Sequence, residues 1–117
     1  MGNLLHQERL AGVDNSLCKV AILAAQKSDC DITVSEGLRT KERQEQLFKE
    51  GKSKTMNSKH LTGRAVDLYA LDNGKINWNG FENLVRLMKQ SATELGVKIT
   101  CGYDWAGSWD KPHFELS

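Results

Sequence analysis

The run Ser58-Lys59-His60-Leu61-Thr62-Gly63-Arg64-Ala65-Val66-Asp67 and the later run Asp110-Lys111-Pro112-His113 together carry two imidazoles and two carboxylates. Zinc takes nitrogen from neutral histidine and oxygen from carboxylate, and catalytic zinc sites keep three protein ligands and one open position. His60, Asp67 and His113 supply such a set. A water in the open position becomes a nucleophile near neutral pH, and the ion polarises a carbonyl under attack. Asp110, three residues before His113, can take the proton from that water and pass one to a leaving amine. The chemistry predicted is metal-assisted hydrolysis.

Other residues near these motifs suit the same reaction. Gly63 permits a close backbone approach or a positive φ between two ligands. Small Ala65 leaves space beside Asp67, and Ser58 can hydrogen-bond substrate or orient a ligand. Arg39 ends a loop before a helix, where a guanidinium could stabilise the oxyanion of amide hydrolysis. Trp105 and Trp109 flank the second motif and read equally as core or as the wall of a substrate groove. Taken singly, each residue has a plainer structural or surface reading. Taken jointly, His60, Asp67, Asp110 and His113 make coincidence improbable. His6 stands outside both motifs and is given no role.

The elements that must position these groups follow from periodicity. Leu17, Val20, Ala21, Ala24 and Ala25 predict a core-facing helix over about 14–27, capped by Asp14 or Asn15. A strand over 32–35 ends at Gly37. A second helix over about 41–50 has Thr40 as its cap and Gly51 as its stop. Only Leu47 and Phe48 are large and apolar there, which predicts a surface helix. After a polar loop over 51–62, residues 65–71 alternate as a strand, with Ala65, Asp67 and Tyr69 on one face. Residues 72–75 signal a turn. Phe81, Leu84, Val85, Met88, Ala92 and Leu95 predict a third helix, with Asn79 and Glu82 as a cap-like pair and Gly96 as its end. Trp78 is expected to pack against it. Strands over 97–101 and 111–116 close the order. The fold class predicted is α+β: a small antiparallel sheet with helices packed on it and the zinc site at the sheet.

Length and composition set limits. The 117 residues suit a single catalytic domain over 1–117 and leave little room for a second. Hydrophobic residues at 39% and charged residues at 26% suit a soluble globular chain. A formal net charge of +1 gives no electrostatic footprint for nucleic acid and no polybasic membrane anchor. No run approaches the roughly 20 apolar residues of a membrane span, and the N-terminus does not read as a signal peptide. Cys18, Cys30 and Cys101 are odd in number and widely spaced, which predicts reduced thiols rather than a disulfide framework.

The motifs resemble those of the zinc peptidases that cleave cell-wall peptides: phage L-alanyl-D-glutamate endolysins, bacterial D,D-carboxypeptidases and the D,D-dipeptidases of vancomycin resistance. The family's Ser-x-His-x-x-Gly-x-Ala-x-Asp stands here as Ser58, His60, Gly63, Ala65 and Asp67, and its Asp-x-Pro-His as Asp110, Pro112 and His113. Its Ser-Gly-x-Arg-Thr segment appears as Ser35-Glu36-Gly37-Leu38-Arg39-Thr40, with Glu36 inserted. Gly102-Tyr103-Asp104-Trp105 looks most like the endolysin branch, with Tyr103 inserted. The resemblance implies zinc on His60, Asp67 and His113, Asp110 as general base, Arg39 near the scissile carbonyl, and peptidoglycan stem peptide as substrate. It also implies the fold shared by Hedgehog domains and D,D-peptidases. A single-domain lysin of this type is expected to be a monomer. It would be made in the host cytoplasm and released to the periplasm and wall by a separate holin.

The leading expectation is an endopeptidase for the L-alanyl-D-glutamate bond. A D-alanyl-D-alanine carboxypeptidase or dipeptidase would use the same zinc chemistry. A non-catalytic zinc-binding module is the third reading, against which Asp110 argues, since binding needs no base.

Overall fold

The computed structural model describes residues 2–52, 58–105, 107 and 110–117. The first helix is α1 (Asn15–Lys27), and the five residues of its apolar stripe, Leu17, Val20, Ala21, Ala24 and Ala25, are all buried. Asp14 caps it, its side chain accepting from Ser16 N at 2.9 Å. The most amphipathic helix is α3 (Phe81–Leu95), whose Phe81, Leu84, Val85, Met88 and Ala92 enter the same core. Gly96 ends it with φ 69°, the left-handed turn that the sequence places there.

Among the described residues six strands form the sheet: β1 (Leu4–Leu5), β2 (Ile32–Glu36), β3 (Ala65–Asp72), β4 (Lys75–Ile76), β5 (Ile99–Cys101) and β6 (His113–Leu116). Their order is β1-β2-β3-β6-β5, with β4 paired to β3 alone. All pairings are antiparallel except β1 with β2. Val66 and Leu68 of β3, Phe114 of β6, and Ile32 and Val34 of β2 join the core with α1 and α3. Alternation along β3 therefore sends Ala65 and Asp67 to the opposite face of the sheet, while the Tyr69 ring reaches the margin of the core and meets Phe81 at 5.6 Å.

Several expectations shift. The α3 cap is Gly80, without a side-chain bond; a 3-10 turn at Trp78–Gly80 precedes it, where Asn77 rather than Asn79 accepts the capping bond. The closing strands are shorter than 97–101 and 111–116. The middle helix, α2 (Lys41–Lys49), has its Thr40 cap as expected, with Oγ1 accepting from Arg43 N at 3.1 Å. It lies outside the main core, yet Gln44 on it is completely buried. Cys18, Cys30 and Cys101 are free thiols, and burial pushes Cys101 up to about 11. Among the described residues no helix is long and apolar enough to cross a membrane.

Candidate active site

Strand pairing brings the two motifs together. Asp67 on β3 and His113 on β6 are direct partners in the antiparallel register, so their side chains emerge side by side on the face away from α1 and α3. Asp67 Oδ1 is 3.3 Å from Nδ1 of His113. The third group, His60, sits on a 3-10 turn at Lys59–Thr62, with Nε2 3.2 Å from the same oxygen.

Backbone contacts hold that turn in place. Ser58 caps it, its hydroxyl accepting from His60 N at 3.2 Å. Arg39 N donates to His60 O at 2.8 Å, and Asp14 N donates to Gly63 O at 2.7 Å. Gly63 closes the turn at φ 72°, and a Cβ there would stand 2.1 Å from Gly12 O. Both reasons for a glycine thus apply at one position.

The outer nitrogens of both rings are spoken for. Nδ1 of His60 meets Gly37 O at 2.8 Å, and a carbonyl can only accept, so a proton sits on Nδ1; Nε2 faces Asp67, donating to it without metal and offering its lone pair when an ion is bound. Nε2 of His113 meets Glu115 Oε1 at 2.8 Å, which leaves Nδ1 as its inward atom. Glu115 in turn is held by Lys59, with Nζ 3.0 Å from Oε2. Burial works against the charge on Glu115, but the bonds from His113 and Lys59 outweigh it and hold the carboxyl below its ordinary value.

His60, Asp67 and His113 can hold a metal ion: one ligand atom from each lies within 4.8 Å of the others. Atoms bound about 2.0–2.1 Å from a tetrahedral ion stand about 3.3 Å apart, which matches the two short separations to Asp67. Two imidazoles with pinned outer nitrogens and one carboxylate are a donor set that fits zinc. Without metal the cluster is an ion-pair network. Burial opposes the Asp67 charge, but hydrogen bonds from His113 and His60 and their charge hold its carboxyl well below the usual range. Burial also opposes charge on His113, yet its bonds to Asp67 and Glu115 raise its pKa.

Asp110 lies beside this cluster, with Oδ2 3.7 Å from Nδ1 of His113. Burial, then the charge of Asp67, raises its pKa. The turn before it is tightly fitted, since a Cβ on Gly102 would stand 2.1 Å from Asp110 O and 3.1 Å from His113 Cβ. Trp105 follows that turn and packs on the His113 ring at a centroid distance of 5.3 Å.

Arg39 reaches the cluster from the loop after β2, with Nη2 4.0 Å from Asp67 Oδ2. Its Nε and Nη2 donate to the two oxygens of Glu36, each at 2.8 Å, and its Nη1 donates to Gln44 Oε1 at 2.7 Å. These bonds engage three of a guanidinium's five N–H groups. Burial works against its charge, and the Glu36 carboxylate, followed by Asp67 and Asp110, more than restores it.

Six of the residues singled out by the sequence, His60, Asp67, His113, Asp110, Arg39 and Trp105, converge on one place. Ser58 is adjacent and faces a ligand's backbone. Trp109 lies outside the described residues. Residue-by-residue reading overlooked Glu36, Gln44, Lys59 and Glu115, which orient the groups above. A charged residue directly beside or two positions from each histidine was the available signal for Lys59 and Glu115.

A family profile decides the kinship: that of the phage L-alanyl-D-glutamate peptidases matches residues 4–116. The chain belongs to this family. It is 38% identical over 110 residues to the L-alanyl-D-glutamate peptidase of Escherichia phage T5, covering 89% of this chain and 80% of that protein. It is 30% identical over 109 residues to the peptidoglycan L-alanyl-D-glutamate endopeptidase CwlK of Bacillus subtilis, covering 80% of this chain and 65% of that one. The crystal structure of the Serratia marcescens L-Ala D-Glu endopeptidase ChiX superposes with a TM-score of 0.88 at 36% identity. That match covers 95% of this chain and 85% of ChiX. As a member of the phage peptidase family, the chain has the small α+β architecture its sequence predicts.

Proposed function

We propose that this protein is a zinc-dependent peptidoglycan endopeptidase that hydrolyses the L-alanyl-D-glutamate bond of stem peptides. Membership of the phage peptidase family supports the bond, and the arrangement of His60, Asp67 and His113 beside Asp110 carries the chemistry. A zinc ion held by His60 Nε2, Asp67 and His113 Nδ1 would supply a Lewis acid and lower the pKa of a water it holds.

The chain's own groups perform the proton transfers. Asp110, beside His113, takes a proton from the attacking water on a carboxylate oxygen. The same oxygen then returns a proton to the D-glutamate nitrogen as the C–N bond breaks. Arg39, clamped by Glu36 and Gln44, directs its remaining N–H groups at the carbonyl oxygen of L-alanine as negative charge develops there. Trp105 forms part of the wall beside His113, Ser58 serves substrate binding next to His60, and Trp109 is assigned to the same role from its sequence position alone. In a phage infection the wall is reached by holin-dependent release.

The test is mass spectrometry of products released from purified peptidoglycan, with and without a zinc chelator. Stem peptides beginning at D-glutamate, lost on chelation, are expected. Release of D-alanine instead would place the chain among the D,D-peptidases, and bound zinc with no cleavage would make it a binding module.

A further inference from the structure

A second concave surface lies next to the site. A groove of about 530 Å³ runs between α3 and the turn after β5, lined by Asn79, Glu82, Asn83, Arg86, Lys89, Tyr103 and Asp104, with Val85 at its floor. The residue preceding Asn79 is Trp78, which is 63% exposed although its ring meets those of Tyr69 and Phe81 at centroid distances of 6.0 and 5.5 Å. An indole fixed by two aromatic neighbours and open to solvent is a rigid apolar platform.

The groove shares a wall with the catalytic cluster. Tyr103 and Asp104 line it, while the neighbouring Gly102 is packed against Asp110 and His113. Its charges cancel: Glu82 and Asp104 oppose Arg86 and Lys89, and Lys89 pairs with Asp104 at 2.7 Å. Such a surface does not select a polyanion. Two asparagine amides beside planar charged groups and an open indole match an uncharged, N-acetylated sugar, which offers hydroxyls, an acetamido group and an apolar ring face.

We propose that this groove, together with the exposed Trp78 that precedes its lining residue Asn79 in the chain, binds the glycan strand of peptidoglycan. The inference rests on the peptidase reading above. In peptidoglycan L-alanine is joined to the lactyl group of N-acetylmuramic acid. The sugar therefore stands only about two residue lengths, roughly 7 Å, from the scissile carbonyl. A substrate bound at the zinc ligands must lay its sugars on a surface this close.

The experiment compares intact peptidoglycan with a synthetic glycan-free stem peptide. Three variants are used: Trp78→Ala, and separately Asn83→Ala and Arg86→Ala, whose side chains are exposed on α3 and leave the fold intact. We expect kcat/KM on peptidoglycan to fall roughly tenfold, one to two lost contacts, with no change on the glycan-free peptide. Peptide-free N-acetylglucosaminyl-N-acetylmuramic acid should shift the backbone amide resonances of Asn79, Asn83 and Arg86. Equal losses on both substrates, or no loss on either with all three variants, would overturn the groove's role. Failure of the wild-type protein to cleave either substrate would instead overturn the peptidase reading itself.

Discussion

Glu115 accepts from the outer nitrogen of His113 at 2.8 Å from two positions further along the same strand, and Lys59, next to His60, holds the other oxygen of that carboxylate. One histidine's neighbour in sequence thus steadies the other histidine's partner. The Lys59–Glu115 pair ties the His60 turn to β6 independently of any metal. Partners of this kind fix ring orientation and raise ligand basicity. Glu115→Ala should weaken zinc binding by roughly 10–100-fold. Competition against a chromophoric chelator measures this, and unchanged affinity would remove Glu115 from the metal site.

Asp110 is close to His113 without completing the donor set. Asp110→Asn should therefore keep zinc and the thermal transition of the wild type. Turnover should drop by roughly two to four orders of magnitude, the usual contribution of a positioned base. Zinc content and peptidoglycan turnover measured on the same sample separate the two effects. Wild-type lysis by this variant would require another base.

Gly102 offers a different route to the same carboxylate. A Cβ at this position meets backbone, the Asp110 carbonyl, which cannot rotate away as a side-chain tip could. Gly102→Ala should push the 110–113 segment outward. Loss of activity and of zinc affinity together is expected, with a lowered melting temperature. A fully active Gly102→Ala protein would mean that the segment adjusts without moving its carboxylate.

The pH dependence of stability should reverse on metal loading. In the metal-free protein the Asp67 pKa is lowered. Its stabilisation is present above the unfolded value of about 3.9 and is lost as pH falls through the folded one. The His113 pKa is raised. Its stabilisation is complete below the unfolded value of about 6.5 and is lost as pH rises through the folded one. The metal-free protein should accordingly be most stable between about pH 4 and 6.5. Zinc must displace the proton on His113 Nδ1, so its stabilisation grows with pH. Chelation should lower the melting temperature little at pH 5.5 and strongly at pH 8. Equal shifts at both would contradict these ligands.

Much of this was legible from spacing because it depends on periodicity. The stripe of α1 and the alternation of β3 assign Val66 and Leu68 to the core, and that leaves Asp67 on the other face. The remainder depends on tertiary partners. A two-residue strand such as β1 or β4 is too short to show a period, and its pairing direction is set by where the chain returns. Gln44 looks like a surface residue on a polar helix, yet it is completely buried and accepts from the Arg39 guanidinium. Glu36 appears along the chain as an insertion. In space it falls where the β2–β3 register shifts, between Val34 and Glu36, and the displaced carboxylate meets Arg39 in a two-point clamp.

The strand order carries a consequence for how the molecule is made. β6 follows β5 in the chain but lies between β3 and β5 in the sheet. Until it arrives, β3 exposes an open edge and β5 has no neighbour to pair with. His113 is its first residue, so the pairing that closes the sheet also brings in the third member of the cluster. A nascent chain emerging from the ribosome therefore carries His60 and Asp67 well before it can cut anything. The cluster is complete only when β6 is paired with β3.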